Sequence, residues 1–149
     1  MRASSLYHHF ADREAIEHAL GRMATRRLFE VLQAAGASKR GTLKVLSLSE
    51  AYIRFATGNA ALYHLIALKA PDSESDPDAT ALWNLFLDAM STVTGRSDDT
   101  AAVVALWAFL HGYVALSTAG NFAASGDQAG FERGVKALLD GLAKKQNIL

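Results

Sequence analysis

Residues 101–120 carry no charged side chain, and no other feature of the 149-residue chain limits the possible folds as much. As a helix the run would span about 30 Å, enough to cross a bilayer. Yet His111 sits near its centre, Asp98 and Asp99 rather than lysine or arginine flank it, and there is no second span to pair with it. A helix of a soluble protein accounts for it better, one apolar on nearly every side that needs partners all round. No membrane partner is expected.

The rest of the chain divides into further helices, with no strand signal of any length. From Asp12 to about residue 35, Ile16, Leu20, Met23, Leu28 and Leu32 keep near-helical spacing until Gly36 closes the segment. A second helix is expected from Ser38 or Thr42 to Thr57, and a shorter one from Ala60 to about Lys69. Residues 71–78 hold both prolines with Asp72, Glu74, Asp76 and Asp78. They form a solvated loop rather than a calcium site, since the glycine and terminal glutamate of an EF-hand are missing at the required spacing. Asp76-Pro77 reads as an N-cap with proline at the first helical position, and Gly95 ends the helix it opens. Ser97-Asp98-Asp99 opens the uncharged helix. Gly126-Asp127 opens the last, where Phe131, Val135, Leu138, Leu139 and Leu142 form one stripe. The fold class expected is all-α, in one domain with a proper core.

Composition narrows the function. Fifteen basic and fifteen acidic residues leave no net charge, which argues against holding nucleic acid by bulk electrostatics. The absence of cysteine excludes disulfides and zinc-thiolate sites, and with no signal-peptide pattern at the N-terminus a cytoplasmic location is expected. Adjacent His8 and His9 diverge on a helix, and His18, His64 and His111 lack a carboxylate or second histidine in a recognised ligand pattern. With no nucleophile elbow, phosphate-cradling loop or paired acid and base, neither an enzyme, a metal site nor a cofactor is expected. His111 reads first as a core histidine hydrogen-bonded to a neighbouring helix.

Near the N-terminus, Leu6 and Phe10 share a helical face while Tyr7 and His8 point elsewhere, and Asp12 reads as the N-cap of a new helix whose first turn is Arg13-Glu14-Ala15. The run Leu6-Tyr7-His8-His9-Phe10, followed after a short turn by Arg13-Glu14, resembles the end of the helix-turn-helix in tetracycline-repressor (TetR-like) transcriptional regulators. Ala51-Tyr52-Ile53-Arg54-Phe55-Ala56 with Asn59-Ala60-Ala61-Leu62-Tyr63, and Leu106-Trp107-Ala108-Phe109-Leu110-His111-Gly112 with its Trp-x-x-x-His-Gly spacing, are similar to the regulatory domains of one branch of that family. A proline common there is an alanine here.

The resemblance implies a division into residues 1–11, the remnant of a DNA-recognition helix, and residues 12–149, a helical effector-binding and dimerisation domain. It carries Tyr7, His8 and Arg13 over as phosphate-facing groups, with Ser4 and Ser5 nearer the base edges. A complete reader of the family has two further helices ahead of the recognition helix that this sequence does not contain, so operator DNA is expected as a partner only of a full-length form. The resemblance further implies a repressor with a small hydrophobic or aromatic effector in the helical domain. Tyr52, Phe55, Tyr63, Trp83, Phe86, Trp107 and His111 are its candidate pocket residues, although such aromatics are first of all core.

A homodimer through the two C-terminal helices is expected, with Val103, Val104, Leu110 and Val114 on the first and Phe131, Val135, Leu138, Leu139 and Leu142 on the second at the interface. The alternative is a DNA-independent helical module that binds a ligand or another protein.

Overall fold

The computed structural model describes residues 3–67, 76–122 and 127–143, with side chains from residue 12 onward and residue 67 excepted. Among the described residues there are six helices and no strand: α1 (Ala3–Gly36), α2 (Gly41–Gly58), α3 (Ala60–Ala67), α4 (Pro77–Thr94), α5 (Thr100–Thr118) and α6 (Asp127–Leu142). Their borders follow local chemistry. Asp76 caps α4 by accepting hydrogen bonds from the backbone N–H groups of Asp78 (3.0 Å) and Ala79 (3.3 Å), beside proline at the first position. Gly95 closes α4 at φ 73°, a left-handed conformation that costs glycine no Cβ clash. Asp99 caps α5 through Ala102 N–H at 3.2 Å. Of the loop at residues 71–78, everything before Asp76 lies outside the described residues, as do Lys69 and Gly126.

The core gathers one face from each of α1, α2, α4, α5 and α6. Leu28 and Leu32 of α1, Leu48 and Ala56 of α2, Ala89 and Met90 of α4, Leu106 and Leu110 of α5, and Val135 and Leu139 of α6 are fully or almost fully buried. Two buried hydroxyls are satisfied inside their own helices: Ser49 donates to Val45 O at 2.8 Å, and Thr25 to Gly21 O at 3.0 Å.

Helix α1 departs from expectation twice. The chain does not end a helix near Phe10 and restart at Asp12; α1 runs unbroken through both. No glycine or proline lies between Ala3 and Leu20, and Ala11, Arg13, Glu14 and Ala15 are strong helix formers, so one aspartate costing about half a kcal/mol does not stop the helix. The apolar stripe on α1 is also only half used. Leu28 and Leu32 are buried, whereas Ile16, Leu20 and Met23 are exposed at 59%, 38% and 67%. Helix length explains this: at about 1.5 Å per residue, the 34 residues of α1 outrun the helices packed against it, α2 and α4 of 18 residues each and α3 of 8.

The last two helices depart from expectation more sharply. Val103, Leu110 and Val114 of α5 and Phe131, Val135 and Leu139 of α6 are each at most 2% exposed within a single subunit, so six of the nine residues assigned to a dimer interface are internal core. The stripe on α6 meets its own chain because α2, α4 and α5 of that chain leave an apolar groove for it. Of the residues assigned to the interface, Val104 is 45% exposed, and Leu138 and Leu142 are half-buried.

An aromatic group fastens α6 to α5. Phe109, Tyr113 and Phe131 lie with ring centroids 5.0 to 6.4 Å apart, Phe122 adds a ring 5.1 Å from Tyr113, and the Tyr113 hydroxyl donates to Asp127 O at 2.6 Å. Gly134 makes this fit possible, since a Cβ there would come within 2.6 Å of the Phe109 ring tip. Gly134→Ala should therefore cost up to about 2 kcal/mol, the overpacking penalty less the helix propensity gained, and lower the melting temperature by up to about 8 °C. Thermal denaturation followed by circular dichroism checks it; an unchanged or raised melting point would mean the ring yields freely.

Candidate effector site

The segments 51–56, 59–63 and 106–112 lie on α2, at the α2–α3 junction and on α5, and the fold brings them together. Asn59 is the hinge between α2 and α3. Its backbone N–H (2.9 Å) and its side-chain amide (3.0 Å) both donate to Phe55 O, while its own carbonyl accepts from Tyr63 N–H at 2.9 Å. α3 therefore starts at once in a new direction, and Tyr63 turns back toward α2.

The result is a chain of polar groups set among rings. The hydroxyls of Tyr52 and Tyr63 are 2.9 Å apart, and the Tyr63 hydroxyl is 2.8 Å from Nδ1 of His111. The Tyr52 and Tyr63 rings meet edge to face at 5.8 Å, Phe86 stands edge-on to Tyr52 at 6.3 Å, and His111 lies 6.0 Å from Tyr63 and 6.2 Å from Trp107. Tyr52, Tyr63 and Phe86 are buried; Trp107 and His111 are exposed. Burial pushes both phenols above the ordinary tyrosine value. For Tyr63 the neighbouring Tyr52 adds to the rise, whereas at Tyr52 the nearby Tyr63 hydroxyl and Trp107 indole offset part of it.

Five of the seven candidate pocket residues thus form one connected cluster: Tyr52, Tyr63, Phe86, Trp107 and His111. Phe55 is buried and Trp83 half-buried, and among the described residues neither makes a ring contact with the cluster. His111 finds a partner on a neighbouring helix as expected, but it does so from an exposed position rather than from the core. The hydroxyl chain itself had only a faint sequence signal, the presence of Tyr52, Tyr63 and His111 in the segments that carry the family resemblance. Among the described residues no group of three histidine, aspartate or glutamate side chains is placed to hold a metal ion.

At the N-terminal end, the side chains of Ser4, Ser5, Tyr7 and His8 lie outside the described residues. Arg13 is exposed in the body of α1, with Nε 3.0 Å from Glu17 Oε1. Because no helix begins there, no free backbone N–H groups stand beside its charge to share a phosphate.

Residues 45–138, which contain the entire cluster, match the family model described as the tetracyclin repressor-like C-terminal domain. The chain belongs to this family. It is also 28% identical over 118 residues to an uncharacterized HTH-type transcriptional regulator, YobS, of Bacillus subtilis (strain 168); the match takes in 78% of this chain and 62% of that relative. The chain thus spans less than two thirds of the length of that regulator. A solved structure of a protein with unknown function from Rhodococcus sp. RHA1 superposes with a TM-score of 0.78 at 21% identity, covering 89% of this chain and 75% of that one, which establishes a shared fold. The TetR-like all-α architecture read from the sequence is therefore the architecture of the protein.

Proposed function

We propose that this TetR-like chain is the effector-binding and dimerisation part of a cytoplasmic transcriptional repressor, with a small hydrophobic or aromatic molecule as effector. The observation that carries the proposal is the Tyr52–Tyr63–His111 polar chain embedded in ring surface where α2, α3 and α5 meet. Sparse, oriented polar groups among aromatic walls are what a site for a small apolar ligand needs. Such a ligand biases the helical domain between two arrangements and alters the spacing of two recognition helices on operator DNA. Residues 1–11 belong, in this proposal, to the DNA reader of a full-length form, and the exposed Ile16, Leu20 and Met23 on α1 offer the apolar surface on which the rest of a reader could pack. A thermal-shift screen of small aromatic compounds tests the effector role. An effector at a hundred times its Kd should stabilise the chain by about 2.7 kcal/mol; a screen in which no apolar or aromatic compound moves the transition would overturn it.

Dimerisation is carried by a second feature. Helix α5 is long and apolar enough to cross a membrane by length and composition, yet only 28% of that stretch is buried inside the subunit. Val104 and Leu116 stand 45% and 48% exposed on it. Beside them α6 turns out Gly130, Ala137 and Gly141, small residues that let a second pair of helices approach closely. A two-fold four-helix contact covering both faces removes this apolar area from water, and about 1,600 Å² in total is what a stable dimer needs. Val104→Glu is expected to give a folded monomer with near-native helix content, because the side chain lies outside the subunit core. Light scattering at micromolar concentration checks it, and a variant that stays dimeric would place the interface elsewhere.

A further inference from the structure

The hydrogen-bond chain beneath Trp107 and His111 has a direction. Tyr52 has one proton, and its hydroxyl partner is the Tyr63 oxygen at 2.9 Å. Tyr63 likewise has one proton, which goes to Nδ1 of His111 at 2.8 Å. In this order every buried proton has an acceptor. In the reverse order His111 would donate to Tyr63 and Tyr63 to Tyr52, and the Tyr52 proton would be left without an acceptor among the described residues, on a residue only 4% exposed. An orphaned buried hydroxyl proton carries its full desolvation cost, so the forward order prevails.

A neutral imidazole that accepts at Nδ1 carries its proton on Nε2. His111 is exposed, and among the described residues Nε2 meets no partner. One turn away, the half-exposed Trp107 ring stands 6.2 Å from the imidazole and offers a flat apolar wall. We infer that Nε2–H of His111 and the face of Trp107 form an acceptor-selective subsite for a flat, largely apolar molecule presenting a carbonyl or carboxylate oxygen. His111 supplies the hydrogen bond, Trp107 the stacking surface, and Tyr63 is a positioning residue that keeps the proton on Nε2. A ligand whose polar end only donates finds no acceptor there. The inference rests on the effector reading above and names the chemical class that reading leaves open.

Three naphthalene probes of one size test it by calorimetry on the 149-residue chain: 2-naphthoate, 2-acetonaphthone and 2-naphthylmethylammonium. The carboxylate and the ketone should bind about tenfold or more tighter than the ammonium, the order of one net hydrogen bond. His111→Phe should bring all three to one affinity in a chain that stays helical by circular dichroism, with a melting point lowered by the loss of the acceptor for the Tyr63 proton. Nitrogen-15 spectra of the wild-type imidazole should show Nδ1 unprotonated and Nε2 protonated. Equal binding of the three probes by the wild type overturns the inference and leaves the effector reading standing, because an apolar ligand is still held. A protonated Nδ1 overturns it independently of any ligand. If 2-naphthoate does not bind at millimolar concentration the subsite is likewise refuted, and the compound screen alone then decides the effector reading.

Discussion

Leu139→Asp abolishes folding of the chain. Leu139 is 1% exposed on the face of α6 that also buries Phe131 and Val135 against the rest of the core. Losing the leucine forfeits about 2–3 kcal/mol of burial. An unpaired carboxylate in its place adds several kcal/mol more, either as desolvation of the charge or as the work of keeping it protonated. Whole domains of this size are stable by about 5–15 kcal/mol, so the two losses together consume most or all of that margin. The expected result is loss of the cooperative thermal transition and of much of the helical circular dichroism. Had α6 served chiefly as a dimer contact, as its sequence stripe suggested, the same substitution would leave a folded monomer. A soluble, cooperatively melting Leu139→Asp monomer would therefore mean that α6 does not pack on its own subunit, and comparison with Val104→Glu separates the two roles of surface and core.

The second large effect is alkaline. The folded-state pKa values of Tyr52 and Tyr63 are raised above the unfolded value near 10, chiefly by burial. Below about pH 10 both states hold the two protons and the tyrosines' contribution is complete. Above it the unfolded chain releases protons that the folded chain keeps, so the unfolded state binds fewer and stability falls as pH rises. Each tyrosine contributes at most about 1.4 kcal/mol per pH unit, and the pair about 2–3 kcal/mol per unit. Tyr113, also raised by burial and then by the charge of Asp127, steepens the loss. Urea denaturation between pH 8 and 11 measures the slope. The double variant Tyr52→Phe, Tyr63→Phe should be less stable at neutral pH, through the lost hydrogen bonds, yet clearly flatter above pH 10. A variant with the wild-type alkaline slope would show that the two phenols ionise as freely in the fold as in the unfolded chain.

These expectations separate local from tertiary information. The cap at Asp76, the start of α5 within Ser97-Asp98-Asp99, the stop at Gly95 and the apolar period of α6 were legible in the sequence, because each depends on residues within a turn or two of one another. The break near Asp12 was misread for the same kind of reason. A short polar residue resembles a cap until its neighbours' helix propensity is weighed against it. Of the site, the residue types were legible and their connection was not: Tyr63 and His111 are 48 positions apart, and the hydroxyl chain exists because α3, restarting at Asn59, carries the Tyr63 hydroxyl to Tyr52 of α2 and His111 of α5.

The sequence by itself determined that α5 is apolar all round and that α6 has a single apolar face, since composition and a 3.6-residue period decide both. Only the tertiary structure decided which of those faces the subunit keeps for itself. Val103 and Val104 are adjacent and chemically identical, yet one is 2% exposed and the other 45%. A helix presents its whole circumference for packing, and its buried side is set by where the neighbouring helices lie, which no local pattern encodes.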